Sequence, residues 1–356
     1  RGVLPEGSLL VANEVMRNRS QILAENLIKW GYPEVVVTNN DPADFTDLTH
    51  LFDVILTDVP CSGEGMFRKD QVAVDEWSLE NVDICWKRQR RILADIWPAL
   101  KPGGILIYST CTFNREEDED NVAWIAKELD ADILSVPVED SWGITGNLTG
   151  KDFPVYRFLP HKTKGEGFFL GVLKKRGDVL DETPRRFLKT SARLDKKKKG
   201  KDAKQPLVVP KEAKTWLEDS SEYALAMKDT NVVAFPKAYE NEYALLQQTL
   251  KVIHSGITLG EIKGKDLIPH HSLAMSTALA SDAFPRAEVN YEQAISYLRK
   301  EGLVLDAGVP RGYVLLTYQD VSLGFVKNIG NRANNLYPQE WRIRSGYLPE
   351  EVVTVF

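Results

Sequence analysis

Two cysteines occupy matching positions in this sequence, each shortly after an apolar run. The run 54–56 (Val-Ile-Leu) leads through Asp58 to Cys61, and the run 105–108 (Ile-Leu-Ile-Tyr) leads to Cys111. Short apolar runs bounded by turn residues are typical of buried parallel strands. Reactive groups of open α/β sheets collect at the carboxyl ends of their strands. The sequence therefore predicts an α/β fold in which Cys61, Cys111 and Asp58 share one cleft.

The composition narrows the class of protein. A chain of 356 residues suits two or three domains. Its three cysteines show no disulfide-framework spacing, which indicates a reducing, cytoplasmic compartment. No apolar run reaches the ~18 residues that indicate a membrane span. The net charge of -6 means that any nucleic-acid contact must be a local basic patch.

Four motifs carry a family resemblance. They are Asp-Val-Pro-Cys-Ser-Gly-Glu-Gly at 58–65, Lys-Pro-Gly-Gly at 101–104, Tyr-Ser-Thr-Cys-Thr-Phe at 108–113 and Glu-Glu-Asp-Glu at 116–119. Together they closely resemble the RNA cytosine-C5 methyltransferases of the Nop/Sun family, and most of all its bacterial branch that acts on small-subunit ribosomal RNA. The resemblance implies a Rossmann-like sheet, S-adenosylmethionine as methyl donor and ribosomal RNA as partner.

The chemistry of such a reaction explains the two thiols. Carbon 5 of cytosine is too weak a nucleophile to take a methyl group from a sulfonium, so a thiolate must first add at carbon 6. A second ionisable group then helps to remove the carbon-5 proton and release the product. The resemblance implies that Cys111 is the nucleophile and Cys61 the releasing group. In the DNA enzymes the cysteine after Pro attacks instead, so spacing alone leaves both assignments open.

Asp58 and Cys85 complete the interpretation of this region. A carboxylate beneath the base can hydrogen-bond its N3/N4 edge and make carbon 6 more electrophilic, which is the role expected for Asp58. A lone cysteine is most often a small buried hydrophobe. That interpretation suits Cys85, on a helix predicted over 80–100, whereas the matching contexts of Cys61 and Cys111 favour catalysis.

Acidic side chains at two further strand ends are candidates for cofactor binding, together with Asp58. Glu14 ends a strand predicted over 7–14, where an acid typically holds ribose hydroxyls. Asp41 follows a strand predicted over 34–38 and by resemblance reads the adenine amine. The alternatives are a helix N-terminal charge for Glu14 and a simple turn for Asp41. The helix that follows Glu14 is predicted to end at Gly31.

The family's first strand and Gly-rich loop have no equivalent in this sequence. Glycines in that turn allow the backbone to approach the cofactor closely. We therefore expect a fragment, or one of two pieces, of a longer enzyme. As an isolated polypeptide it should bind S-adenosylmethionine weakly or not at all, and micromolar affinity by calorimetry would contradict this.

Two segments are candidates for RNA contact. In the loop 62–70 an aromatic stands beside two cations, and such a group can stack on a splayed nucleotide; ordinary packing on the sheet is the alternative. Towards the C-terminus, cations and aromatics interleave in a segment that resembles a PUA-like domain. The candidate residues are Phe67, Arg68, Lys69, Lys327, Arg332, Tyr337 and Arg342.

The predicted organisation has four parts. Residues 1–175 form the catalytic domain, 176–214 a basic flexible linker, 215–285 a small α+β domain and 286–356 the PUA-like RNA-binding domain. The linker either contacts phosphates or is a solvated tether. His270 and His271 lack partners at ligand spacing, so no metal site is expected.

Two hypotheses of function follow. The first is an RNA cytosine-C5 methyltransferase, which the paired thiols favour. The second is a catalytically inactive RNA-binding or assembly protein that uses a methyltransferase-like fold, which the missing Gly-rich loop favours for this polypeptide alone. DNA methylation is disfavoured by the Ser-Thr-Cys-Thr motif and the PUA-like tail.

Overall fold

The computed structural model describes residues 4–178 and 208–347, so residues 179–207 of the predicted linker lie outside the described residues. The chain divides into two compact units. We call the one that spans Asn40–Ala192 and Gln248–Leu250 the cysteine unit, because it holds all three cysteines. The other, the composite unit, comprises Arg1–Asn39, Arg193–Gln247 and Lys251–Phe356. The predicted domain 1–175 is thus divided between the two units.

Strands and helices alternate in the first half of the chain, and strands dominate the second. The helices are α1 (Arg17–Trp30), α2 (Gln71–Glu76), α3 (Leu79–Ile96), α4 (Glu119–Glu128), α5 (Glu240–Thr249), α6 (His271–Met275) and α7 (Tyr291–Leu298). The strands are β1 (Leu10–Asn13), β2 (Val35–Thr38), β3 (Phe52–Asp58), β4 (Leu100–Thr110), β5 (Ala131–Ile133), β6 (Tyr156–Phe158), β7 (Phe168–Lys175), β8 (Tyr223–Lys228), β9 (Asn231–Pro236), β10 (Val252–Ser255), β11 (Ile257–Lys263), β12 (Asp266–Pro269), β13 (Arg286–Glu288), β14 (Gly312–Tyr318), β15 (Val321–Asn328) and β16 (Ala333–Asn335).

The cysteine unit is built on one mixed sheet with the strand order β3-β4-β7-β5. β3 and β4 run parallel, while β7 runs antiparallel to both β4 and β5, and β6 pairs with β7. A parallel pair requires a long crossover connection, and α3 lies within the one that joins β3 to β4. This arrangement confirms the α/β class with a Rossmann-like sheet.

α3 shows why its sequence forms a helix and what it buries. Ser78 caps its N-terminus by accepting a hydrogen bond from the backbone N–H of Asn81. The buried positions recur at helical spacing and include Cys85, which is a core residue as expected. One member of that stripe is polar, Gln89, and it is fully buried.

β3 differs from its prediction in one respect. It pairs in parallel with β4, but Val54 and Leu56 are 52% and 65% exposed rather than buried. The reason is topological, since within the described sheet β3 lies at the edge and pairs only with β4. Side chains on a strand alternate between faces, so these two residues share one open face.

The composite unit contains three sheets. In the first, β1 and β2 run parallel with α1 between them in sequence, and β10 adds antiparallel to β2. α1 ends at Gly31, as predicted, with φ of 83° and its N–H bonded to the carbonyls of Leu27 and Ile28. The second sheet has the order β12-β11-β9-β8 and the third β13-β14-β15-β16.

The third sheet contains a tight hairpin made by β14 and β15. β14 and β15 pair antiparallel, and the two residues between them, Gln319 and Asp320, have φ of 50° and 63°. Positive φ at both central positions is typical of a tight hairpin turn. Tyr297 on α7 and Tyr337 after β16 pack into the apolar core beneath this sheet.

Within the described ranges, no helix combines the length and apolarity that a membrane crossing would require.

Candidate active site

The carboxyl ends of β3 and β4 bring Cys61 and Cys111 together. The parallel register sets Asp58 opposite Ser109, and each cysteine follows two or three residues later. The two Sγ atoms lie 2.9 Å apart, and both side chains are half-buried. The thiols therefore lie together as the sequence predicts.

The two thiols influence each other's ionisation. The hydrogen bond from Cys61 lowers the pKa of the Cys111 thiol, while burial and the charges of Asp58 and Glu117 act to raise it. The same hydrogen bond, followed by burial, raises the pKa of Cys61 far above its ordinary range. A hydrogen-bonded pair of this kind loses its first proton easily and its second with difficulty. Of the two thiols, Cys111 is the one whose pKa is lowered.

Backbone contacts clamp the two cysteine loops to each other. The N–H of Gly65 donates to the carbonyl of Cys111 at 2.7 Å, and a Cβ at position 65 would collide with that carbonyl. Glu64 accepts a hydrogen bond from the backbone N–H of Phe113 at 2.6 Å and another from the indole of Trp77 at 3.1 Å. The glycine after Glu64 is therefore required by close approach of the second loop.

Glu117 is a buried carboxylate behind both loops. It accepts hydrogen bonds from the backbone N–H of Ser62 at 3.1 Å, from Asn114 Nδ2 at 2.7 Å and from Gln89 Nε2 at 2.6 Å. The sequence interpretation used the acids at 116–119 only as a family motif and gave Glu117 no role of its own. A polar residue inside an apolar helical stripe, as Gln89 is on α3, was the available signal.

Behind Glu117 lies a second layer of buried polar contacts. The hydroxyl of Tyr108 donates to the carbonyl of Glu117 at 2.6 Å, and Asn121 Nδ2 donates to Gln89 Oε1 at 2.7 Å. Gln89 Nε2 also reaches the carbonyl of Pro60, directly before Cys61. Buried polar networks that are satisfied in this way hold their members in one geometry.

Arg157 neutralises the next two acids of the stretch. Its guanidinium pairs with Asp118 at 3.0 Å and with Glu119, and it donates to the carbonyl of Phe113 at 3.0 Å. All three charged side chains are buried. Burial raises the pKa of Asp118 despite the opposing effect of Arg157. The end of the second cysteine loop is therefore fixed by a buried ion triad.

The three predicted cofactor acids lie in different surroundings. Asp58 is exposed at the end of β3, near enough for its charge to act on Cys111. Asp41, in the same unit, accepts from the N–H of Ala43 and caps a short 3-10 turn. Glu14, in the composite unit, accepts from the N–H of Met16 at 2.8 Å and pairs with Arg19 at 3.1 Å. Asp41 thus has the contacts of a turn residue, and Glu14 has those of a charge at a helix N-terminus. These are the alternatives to cofactor binding that the sequence left open.

The loop residues proposed for RNA contact are at the surface. Phe67 is 37% exposed and meets Trp77 edge-on. Lys69 pairs with Glu166 at 3.2 Å, and Arg68 is exposed. An exposed ring beside two exposed cations remains compatible with base stacking.

Of the C-terminal candidates, two are exposed cations, one is a partly exposed cation and one is a core residue. Arg332 and Arg342 are exposed, and the ammonium of Lys327 lies over the ring of Tyr313 and 3.5 Å from Asp266. Tyr337 is only 6% exposed and packs against His271 and Tyr297. The expectation that Tyr337 stacks on RNA is corrected, because its ring belongs to the core.

Among the described residues, no group of three or more His, Cys, Asp or Glu side chains is arranged to hold a metal ion.

Comparisons with known proteins identify two segments. The family model of the 16S rRNA methyltransferase RsmB/F matches residues 2–174, and that of the methyltransferase RsmF PUA domain matches residues 284–343. Ribosomal RNA small subunit methyltransferase F of Klebsiella pneumoniae is 31% identical over 342 residues, 95% of this chain and 69% of that protein. The protein of the same name from Citrobacter koseri is 32% identical over 348 residues, 96% of this chain and 70% of its own. A crystal structure of NSun6 from Pyrococcus horikoshii with SFG is 26% identical, covers 48% of this chain and 42% of its own, and superposes with a TM-score of 0.39.

Proposed function

The chain belongs to the RsmB/F family of 16S rRNA methyltransferases, and from that membership and its paired thiols we propose the reaction that it performs. It transfers a methyl group from S-adenosylmethionine to carbon 5 of a cytosine in small-subunit ribosomal RNA. The reaction passes through a covalent bond between Cys111 and carbon 6. The observation that carries this proposal is the 2.9 Å contact between the sulfurs of Cys61 and Cys111, at strand ends beside Asp58.

Cys111 starts the reaction as the nucleophile. Its pKa is lowered by the hydrogen bond from Cys61, so it carries the negative charge of the pair. Addition of that thiolate to carbon 6 turns carbon 5 into an enamine carbon that can attack a methyl group. S-adenosylmethionine, when bound, supplies that methyl group in electrophilic form.

Cys61 completes the reaction as the base. The raised pKa of Cys61 has as its largest cause the hydrogen bond to Cys111. When Cys111 becomes bonded to carbon 6, its charge and that hydrogen bond are lost, and Cys61 ionises more easily. It can then take the proton from carbon 5, after which the bond between Cys111 and carbon 6 breaks.

Asp58 and Glu117 serve the two cysteines in different ways. Asp58 is exposed at the end of β3, where its carboxylate can accept a hydrogen bond from the base and favour a proton on N3. Glu117 is buried and holds the N–H of Ser62 and the amide of Asn114. It is a positioning residue, because it ties the loop of Cys61 to the loop of Cys111.

The acids at the strand ends suit the polar groups of the cofactor. Ribose hydroxyls and the adenine amine donate hydrogen bonds, and carboxylates accept them. Within the cysteine unit we assign the adenine amine to Asp41 and the side nearest the base to Asp58. Glu14, in the composite unit, is assigned the ribose hydroxyls from its sequence context alone. Glu14 keeps this capacity although it already accepts from Met16 and Arg19, because each carboxylate oxygen has two lone pairs.

RNA contact is assigned to surface cations and one ring. Phe67, Arg68 and Lys69 follow the first cysteine loop directly in sequence and are exposed. Lys327, Arg332 and Arg342 lie on the segment that matches the RsmF PUA domain. Such contacts with phosphates position RNA without reading its sequence.

Covalent trapping tests the division of roles between the cysteines. The protein is incubated with 16S ribosomal RNA and S-adenosylmethionine carrying a labelled methyl group, then run on a denaturing gel. We expect Cys111→Ser to give neither methylated RNA nor an adduct, and Cys61→Ala to accumulate a protein-RNA adduct. Cys85→Ser is the matched control and should behave as the parent, since Cys85 is a core residue of α3.

Two outcomes would refute the proposal. If Cys61→Ala turns over normally without an adduct, Cys61 is not the releasing group. If the parent binds both RNA and S-adenosylmethionine but transfers no methyl group, the protein is the catalytically inactive RNA-binding alternative.

A further inference from the structure

We propose that Cys61 and Cys111 form a reversible disulfide on exposure to a peroxide, which makes the pair an oxidation site as well as a catalytic one. The formation of this bond is independent of the proposed function. Its consequence, the loss of methyl transfer until a thiol reductant restores both sulfurs, rests on the proposed function.

The geometry of the two loops favours this bond over any other fate of the thiols. Their sulfurs are 2.9 Å apart, within about 1 Å of the ~2.05 Å length of a disulfide. The loops cannot drift apart easily, because Gly65 donates to the carbonyl of Cys111 and Glu117 holds the N–H next to Cys61. The bond therefore requires the two sulfurs to approach each other by about 1 Å.

The two thiols also differ in the way that a stepwise oxidation requires. Cys111 is the thiol whose pKa is lowered, so we assign the thiolate to it, and thiolates are the species that peroxides attack. Cys61 remains a thiol beside it, in position to resolve the oxidised sulfur. Both are half-buried and open to a small oxidant, whereas Cys85 is 5% exposed.

The chemistry balances in two steps with hydrogen peroxide as oxidant. The Cys111 thiolate attacks one peroxide oxygen, the O–O bond breaks, and with one proton the products are a sulfenic acid and water. The sulfur of Cys61 then attacks the sulfenic sulfur, the S–O bond breaks, and a second water leaves. Two thiols and one peroxide thus give one disulfide and two waters, with two electrons moving from sulfur to oxygen.

A reducing compartment makes such a bond a transient state rather than a structural one. Disulfides inside reducing cells are usually catalytic or redox-sensing. Formation of the disulfide also protects Cys111, because an unresolved sulfenic acid is oxidised further to irreversible acids. The pair therefore switches between a reduced form, in which both sulfurs can take part in catalysis, and an oxidised form, in which neither can.

Peptide mapping by mass spectrometry under non-reducing conditions tests this directly. The full chain carrying Cys85→Ser is treated with stoichiometric hydrogen peroxide, and remaining thiols are blocked by alkylation. We expect one cross-linked peptide pair joining Cys61 to Cys111, with loss of two hydrogens from the protein, and complete recovery of both thiols after dithiothreitol. A matched Cys61→Ala protein should instead accumulate sulfinic and sulfonic acid at Cys111.

The proposal is overturned if the oxidised protein contains only over-oxidised Cys111 with Cys61 still free, or only cross-links between chains. It is also overturned if Cys61→Ala resists over-oxidation as well as the parent does. Because the readout is the bond itself, a negative result here leaves the methylation test unaffected. Conversely, an inactive protein that forms the bond would count against the proposed function alone.

Discussion

Arg157 and Arg176 form a natural pair for measuring what buried charge contributes to the cysteine unit. Each guanidinium contacts two carboxylates: Arg157 bridges Asp118 and Glu119, and Arg176 bridges Asp130 and Asp132. The side chain of Arg157 is 3% exposed, whereas that of Arg176 is 54% exposed. Substituting each by Met keeps most of the side-chain length and removes the charge.

The expected losses of stability differ widely. Arg157→Met leaves two buried carboxylates without their cation, and breaking a buried pair in this way costs about 3–5 kcal/mol. Arg176→Met removes two exposed pairs, whose contribution to stability is small because water and salt screen them. At about 2–4 °C per kcal/mol for a unit of this size, Arg157→Met should lower Tm by about 6–20 °C.

The pH dependence gives a second check on the same argument. Burial raises the pKa of Asp118 even with Arg157 beside it, so without that cation its folded-state pKa rises further. A carboxyl group whose folded pKa is raised contributes stability that is fully present below its unfolded pKa and is lost as pH rises through the folded pKa. The loss of stability caused by Arg157→Met should therefore become smaller as pH falls from 8 towards 5.

Thermal unfolding followed by circular dichroism at several pH values measures both effects. Equal Tm losses in the two variants would show that burial does not govern the cost. A deficit of Arg157→Met that grows on acidification would show that the orphaned carboxylates do not take up protons as argued.

Three further predictions follow from the described contacts. Glu117→Gln should lower kcat by about 10²-fold, because the two cysteine loops are no longer held in place. It should also move the pH profile of Cys111 alkylation to lower pH, because the charge of Glu117 raises the pKa of Cys111 and is lost in this variant. The alkylation rate against pH measures this, and an unmoved profile contradicts it. His271 is buried with its pKa lowered to about 3, chiefly by burial and then by nearby positive charges, so the unfolded chain binds a proton that the folded chain does not. This histidine alone should lower stability by about 2 kcal/mol at pH 5. His271→Gln should remove that part of the pH dependence in thermal unfolding, while buried His254 and His270, whose pKa values are also lowered by burial, keep theirs. Finally, Tyr337→Ala should cost about 3–5 kcal/mol of stability as a core truncation. Arg332→Ala should leave stability intact but weaken RNA binding and reduce its salt slope by about one. Filter binding at several salt concentrations distinguishes the loss of a core side chain in Tyr337→Ala from the loss of a phosphate contact in Arg332→Ala.

The sequence predicted the elements of the site better than their surroundings. Cys61 and Cys111 could be placed together because parallel strands in register end at one edge, which follows from local pattern alone. The burial of Glu117 could not be predicted in this way, because it depends on Gln89 and Ser62 from distant parts of the chain. Tyr337 was misjudged because its burial also depends on distant residues. The sequence around an aromatic flanked by cations is the same whether the ring faces water or the core.

The membership of individual strands in sheets was also beyond local pattern. The strands β1 and β2 are recognisable from their apolar runs, but their partner β10 lies more than two hundred residues away. Pairing of distant strands is decided by the packing of the whole unit, and a run of three valines such as that in β2 fits many partners. Element type is therefore predictable here, while sheet membership is not.

The two effects of Cys61 on Cys111 act on opposite sides of the covalent intermediate, and this decides how the trapping experiment must be interpreted. Before attack, the hydrogen bond from Cys61 lowers the pKa of Cys111 against the opposing charges of Asp58 and Glu117. Removing Cys61 therefore raises that pKa and slows formation of the adduct at neutral pH. After attack, removing Cys61 eliminates the base and slows decay of the adduct. An adduct accumulates only if decay slows more than formation, so both rates must be measured. Raising the pH restores the thiolate of Cys111 but cannot replace the missing base. The adduct of Cys61→Ala should thus form faster and accumulate to a higher level at pH 9 than at pH 7, and a yield that falls over this range would exclude Cys61 as the releasing group.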